Sequence, residues 1–235
     1  MDVYEKKYPT LANMLQIYLN FTKLRFDQYQ RDEREPEVKS TFNYIDYIRM
    51  NHFDAENGMA LFEKFPYFCE LPESDKSALF KRFREPFLLF ERIYDTLNIV
   101  GSKLDDKYIM LQNGDCFNFA TLNQAFMPRE MSNVFKIIFS SWAAFLPVIR
   151  KMNLEIIEAV YIFCCLLWNT SYLDSPISKE GEEIIRRGRI IIHKEMREFY
   201  DYDEIKWERI YSLRNFLIKT EKFVAEYKKQ VVVDM

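Results

Sequence analysis

The sequence predicts an all-helical fold that carries one small β-hairpin. Three observations lead there. Only five of 235 residues are glycine, too few for the many tight turns of a strand-rich fold. Apolar residues recur at helical spacing, as in Leu79, Phe83, Phe87, Phe90 and Tyr94. A single Asn113-Gly114 pair stands between two short strand-like runs, Lys107 to Leu111 and Asp115 to Phe119. Asn and Gly both tolerate the positive φ that a two-residue hairpin turn requires.

In chain order, Thr10 is placed to cap a first helix whose stripe holds Leu11, Met14, Leu15 and Tyr18. Arg31 to Lys39 is charged and broken by Pro36, and reads as an exposed connection and hinge. A second helix spans Tyr44 to Phe65. Its middle, Asn51 to Gly58, is polar. Two readings stand: an exposed or slightly kinked face, or a polar patch turned to an internal cavity. The aromatic turn Pro66-Tyr67-Phe68 follows, and both rings are expected to be packed. Leu71-Pro72 opens a long helix with Glu73 and Asp75 at its positive end. Pro86 inside that helix predicts a bend near Arg82 to Pro86.

Four helices complete the chain. Pro128 to about Ile149 sets Phe135, Ile138, Phe139, Trp142, Leu146 and Ile149 on one face, and Pro147 is expected to bend or end it. Asn153 is placed to cap Leu154 to Trp168, and Ser178 to cap a helix reaching about Tyr200. Asp203 to about Tyr227 carries Trp207, Ile210, Phe216, Leu217 and Val224. Arg186-Arg187-Gly188-Arg189 reads as a solvated face, because Glu182, Glu183, Glu195 and Glu198 share the helix.

Composition excludes several functions. A net charge of −3 with 29% charged residues lacks the basic excess of a chain devoted to DNA or anionic membranes. Cys69, Cys116, Cys164 and Cys165 form no Cys-x-x-Cys, so neither a zinc module nor a redox pair is suggested. Cys164 and Cys165 lie inside an apolar run and are expected to be buried thiols, in a reducing, intracellular setting. The N-terminus has no signal-peptide core. The longest apolar run, Ala159 to Trp168, falls well short of the roughly 20 residues of a membrane span. Asp105-Asp106 reads as a turn, since a hard cation wants about six oxygens. Phosphate-loop, dinucleotide and nucleophile-elbow motifs are absent. His193 reads as a surface residue, and His52 lies beside the polar patch. No catalytic residue, metal site or cofactor is expected. An unrecognised helical enzyme would need a cavity lined by several carboxylates.

Leu61 to Glu91 resembles the signature of nuclear hormone receptor ligand-binding domains: Pro66, Phe68, Leu71, Asp75, Leu79 and Lys81 match without a gap. The order downstream also resembles that family. The hairpin is followed by Leu154 to Trp168, similar to helix 8, Ile177 to Tyr200, similar to helix 9, and Glu208-Arg209-Ile210, similar to the start of helix 10. The pattern looks most like the divergent nematode group. The resemblance covers about residues 1–230. It implies one domain over 1–235, with an N-terminal helix and charged linker over 1–40 and a core over 41–235. The implied fold is a three-layer helical sandwich.

The resemblance also implies sites. A pocket for a small lipophilic ligand falls on Tyr47, Met50, Asn51, Asp54, Leu88, Arg92 and Met110. A groove for a coregulator helix falls on Met59, Glu63, Ser77 and Lys81, and a dimer surface on Arg209, Leu213, Phe216 and Leu217. Transcription regulation in the nucleus follows, without enzymatic activity, direct DNA binding by this chain or membrane insertion. Four scattered cysteines do not supply the family's two-zinc DNA-binding module. Three departures stand out. Glu63 occupies the position of the groove's clamp lysine. Asp95 occupies that of the arginine that grips acidic ligands, with Arg92 one turn earlier. No acidic-apolar activation helix is found before Met235. A second reading is a ligand-independent helical dimerisation or decoy module, using Arg209 to Val224.

Overall fold

The computed structural model describes residues 2–29, 36–101, 107–119, 129–171, 173–215 and 217–218. It is an all-α fold with a small sheet. The helices are α1 (Asp2–Lys7), α2 (Pro9–Gln28), α3 (Tyr44–Phe62), α4 (Glu73–Asp95), α5 (Arg129–Met152), α6 (Ile156–Leu167) and α7 (Lys179–Phe199). A further helix, α8, covers 204–215. A π-helical turn, Thr96–Val100, extends α4. The chain divides into two compact units. The first comprises Met1–Phe21, Asn57–Phe87 and Glu155–Met235, and the second Thr22–Glu56 and Leu88–Leu154.

In the first unit, the predicted face of α4 is observed: Leu79, Phe83 and Phe87 are buried. Phe62 meets Phe83 edge to face at 4.8 Å, and Phe87 meets Phe163 at 4.9 Å. Such ring pairs add to burial through their quadrupoles. In the aromatic turn, Phe65 and Phe68 are fully buried against Trp168, at 5.7 and 6.2 Å. Tyr67 departs from expectation. It is half-buried, stands at φ 66°, and lies under the Arg187 guanidinium at 5.7 Å. A cation over its ring substitutes for the core contact.

Helix ends are where the sequence reading needs most revision. α2 starts at Pro9, ahead of Thr10, as suits proline in a first turn. The Thr10 and Leu11 N–H groups donate to the buried Glu195 carboxylate, at 3.0 and 2.8 Å. Thr10 is therefore capped from α7 and is not itself the cap. Asn153 does not cap α6. It ends α5 in the left-handed region, φ 47°, with its N–H on Ile149 O, a role asparagine's short polar side chain permits. α6 starts at Ile156, where Glu158 Oε2 accepts the Glu155 N–H at 2.9 Å. Ser178 caps α7 as predicted, its Oγ accepting the Gly181 N–H at 3.0 Å and donating to Asp75 at 2.6 Å.

In the second unit, β2 (Tyr108–Met110) and β3 (Asp115–Asn118) form the expected antiparallel hairpin. The turn is chemically different from the one predicted. Only Gly114 has positive φ, 91°. Asn113 instead accepts the Asp115 N–H with its side chain at 3.1 Å, an Asx-type turn. A third strand, β1 (Glu37–Lys39), pairs in parallel with β3. It lies inside the segment read as a loop, and its short, exposed, charged make-up leaves no hydrophobic pattern to find. α5 continues through Pro147 to Met152. Pro147 and Ala143 both face solvent, so the carbonyl that loses its helical partner can meet water. Trp142, Leu146 and Ile149 are buried as expected. The side chains of Phe135, Ile138 and Phe139, the pair Asp105-Asp106, and the chain from 219 onward lie outside the described residues.

Gly181 is held by close approach: a Cβ there would land on Asp75 Oδ2 and within 2.8 Å of Ile177. Gly181→Ala gains helix propensity of about 1 kcal/mol, yet the clash displaces the Asp75–Ser178 cap. A net loss of about 1–3 kcal/mol in urea unfolding is expected. A stabilised variant would show the cap to be dispensable.

Candidate functional site

The second unit contains a buried charge network built from α2, α3, α4 and the hairpin turn. Arg25, four residues after Phe21 on the apolar stripe of α2, is 2% exposed. Its guanidinium meets Asp54 through two bonds of 2.8 Å, Nε to Oδ1 and Nη2 to Oδ2, and also pairs with Glu91. Arg92 donates from Nε to Glu91 Oε2 at 2.8 Å and from Nη2 to Asp95 Oδ2 at 2.7 Å. Gln112 Nε2 donates to Asn51 Oδ1 at 2.8 Å and to Asp54 Oδ2 at 3.0 Å. Thr96 Oγ1 donates to Arg92 O and accepts the Met110 N–H at 2.9 Å, tying the π-helical turn to β2.

Burial opposes ionisation of Glu91, but the Arg25 and Arg92 guanidiniums overcome it and hold its pKa at about 2. Burial also opposes charge on Arg92, which Glu91 more than offsets, so its pKa is raised. Tyr29, which meets Phe53 edge to face at 5.8 Å, is pushed up to about 12 by burial and then by Asp54. Two cations face three carboxylates, leaving one net negative charge. Arg92 Nη1 is buried and has no hydrogen-bond partner among the described residues.

The seven pocket candidates all belong to this unit. Asn51, Asp54 and Arg92 take part in the network. Met110 is fully buried beside Val100 and Cys116, Met50 is buried, Leu88 is half-buried, and Tyr47 packs on Phe42 at 5.5 Å. The polar middle of α3 thus divides between its two readings. Asp54 is buried and bonded within the protein, whereas His52 and Glu56 face solvent. Arg25, Glu91 and Gln112 were not singled out from sequence. The available signal was a charge set in an apolar stripe: Arg25 follows Phe21, and Glu91 follows Phe87, each by one turn.

The groove candidates lie in the first unit. Met59 is half-buried; Glu63 and Ser77 are exposed; exposed Lys81 pairs with Asp174 at 2.9 Å. Of the dimer candidates, Arg209 pairs with buried Glu158, which also accepts from Tyr200. Leu213 and Leu217 are 3% exposed, and Phe216 lies outside the described residues. Near them, Ile205 and Tyr211 are exposed. His193 is not a surface residue. It is half-buried, with Nδ1 2.8 Å from Tyr161 Oη and its ring against Trp207. Burial, then Arg214 and Arg189, lower its pKa to about 4. Burial pushes the Cys165 thiol up to about 11, which disfavours its thiolate form.

The family model described as the ligand-binding domain of nuclear hormone receptor matches residues 32–233. The chain belongs to this family. No individual curated protein matches it. Among the described residues of this nuclear receptor ligand-binding domain, no group of three or more His, Cys, Asp or Glu is arranged to hold a metal ion. No described helix is long and apolar enough to cross a membrane.

Two measurements probe these electrostatics. Glu91→Gln removes the carboxylate shared by two buried guanidiniums and is expected to cost about 3–5 kcal/mol in urea unfolding. A loss below about 1 kcal/mol would show the network to be solvated. His193, neutral in the fold, resists protonation between its ordinary 6.5 and about 4. Stability it contributes is complete above 6.5 and declines as pH falls towards 4. Urea midpoints of His193→Gln against pH should lose that slope; an unchanged slope assigns it to other groups.

Proposed function

We propose that this chain regulates transcription in the nucleus by binding a small, neutral, lipophilic ligand in its second unit and a coregulator helix on its first. The observation that carries the ligand class is the charge balance around Arg92. With three carboxylates already facing two guanidiniums, an acidic ligand would add a fourth negative charge. A neutral ligand with one hydroxyl or carbonyl oxygen could accept from Arg92 Nη1, and the same unit supplies the apolar side chains Met50, Leu88 and Met110. Asp95, at the position where the family carries its acid-gripping arginine, supports the same reading by spending part of Arg92 internally.

On the first unit, Glu63 and Lys81 are exposed charges of opposite sign. Lys81 would favour the carbonyl end of a guest helix and Glu63 its amino end. Ligand binding would bias the groove by population shift. No residue here has a catalytic role in this reading. A second reading, ligand-independent dimerisation, draws support from Tyr202, Ile205 and Tyr211, which are 59%, 83% and 42% exposed around the start of α8. Light scattering over a wide concentration range addresses it, a monomer throughout counting against.

Native mass spectrometry of gently purified protein is the primary test. The expected spectrum contains an adduct of a neutral lipid, diminished in Leu88→Trp, where the larger ring would occupy ligand space. Apo mass alone, together with no thermal shift from neutral sterols or fatty alcohols, would sink the ligand assignment.

A further inference from the structure

The first unit holds a concavity lined largely by polar and basic side chains. It has a volume of about 310 Å³ and is walled by the residues after α6, by α7 and by α8. Cys165 and Ile192 lie at its base. Arg189, His193 and Arg214 converge on it, joined by Thr170, Ser171 and Asn215. None of the described residues lining it is acidic.

Among the described residues, no carboxylate pairs with Arg189 or Arg214. Arg189 donates to Trp168 O and to Thr170 Oγ1, both neutral. Arg214 rests over the Tyr211 ring at 5.1 Å and pairs with no carboxylate among the described residues. Burial lowers the pKa of Arg189, and the neighbouring Arg214 and Arg82 lower it further. Burial, then the same Arg214, depress His193. Like charges brought together and partly desolvated repel, and a bound anion relieves that repulsion. Arg25 and Arg92, the fully buried guanidiniums among the described residues, pair with carboxylates. Arg189 and Arg214 have no such partner among the described residues, and they share one concavity.

We propose that this concavity binds a small phosphate-bearing molecule, with Arg214 and Arg189 on the phosphate and Thr170, Ser171 and Asn215 completing its hydrogen bonds. A phosphate offers several acceptor oxygens to forked guanidinium donors and hydroxyls. The volume lies at the small end of ligand sites, which begin near about 300 Å³, so a phosphate with a short polar body fits and a long lipid does not. This site is independent of the lipophilic ligand proposed above, and either can fail alone.

The test titrates the full chain, at constant ionic strength, with inorganic phosphate, glycerol 3-phosphate and glycerol, followed by calorimetry and by the NMR resonance of His193. Saturable binding of a phosphate probe is expected, and glycerol should not bind. Tighter binding of the ester than of inorganic phosphate identifies a phosphate ester as the ligand, and equal binding identifies free phosphate. The His193 titration should move up from about 4 when phosphate is present. Arg214→Gln, which removes only a ring contact from the free protein, should weaken binding about tenfold or more. Asn215→Leu should weaken it in the same direction and serves if the first variant is unfolded by circular dichroism. Unchanged affinity in a folded variant, or a response that tracks ionic strength alone, overturns the proposal.

Discussion

Arg25 and its carboxylate partners are the constraint on which the second unit depends. A guanidinium taken out of water costs several kcal/mol, and this cost is recovered only if geometry is good and every neighbour is bonded. The paired 2.8 Å bonds to Asp54 meet that requirement in the planar fork-to-carboxylate arrangement. Because Glu91 is shared between Arg25 and Arg92, α2 and α4 are fixed in mutual register within this unit. Because Asp54 also accepts from Gln112, the hairpin turn is fixed to α3. A slip of one residue in any of these elements would leave a buried charge alone.

The first unit applies the same physics to helix ends. The carbonyl end of α6 is bound by Arg82, which donates to Leu166 O and Asn169 O, and by Arg189 on Trp168 O. The amino end of α2 receives the Glu195 carboxylate, and that of α7 the Asp75–Ser178 pair. Cations sit at negative ends and anions at positive ends, satisfying backbone groups that the helices cannot pair themselves. Asp75, Glu158 and Glu195 are thereby buried without being unpaired.

Legibility in the sequence followed the range of the interaction. The stripe of α4, the Ser178 cap and the location of the hairpin were readable because each is set by residues within a turn or two. Strand β1 was not, since Val38 finds its place only through Cys116, far along the chain. Asn153 was assigned to the wrong helix because its φ of 47° at the end of α5 outweighs its capping chemistry. His193 looked solvated beside its charged neighbours, and only α6 and α8 reveal the Tyr161 and Trp207 rings against it. For the candidate ligand site, the family resemblance together with helical facing brought out Asn51, Asp54 and Arg92. It could not show that Arg25 and Gln112, from other elements, would meet them.

That last omission bears on function. Read alone, Arg92 suggests a grip for an acidic ligand one turn from the family's usual position. Its environment reverses the inference. Glu91 and Asp95 already neutralise it, and Asp54 engages Arg25. A ligand carboxylate on Arg92 Nη1 would add a fourth negative charge against two guanidiniums in a buried network that already carries one net negative charge. A neutral acceptor adds no charge, and it can take an Nη1 hydrogen while both ion pairs persist. In the reading proposed above, selectivity against acids would arise from the charges that stabilise the unit, without any residue dedicated to rejecting them.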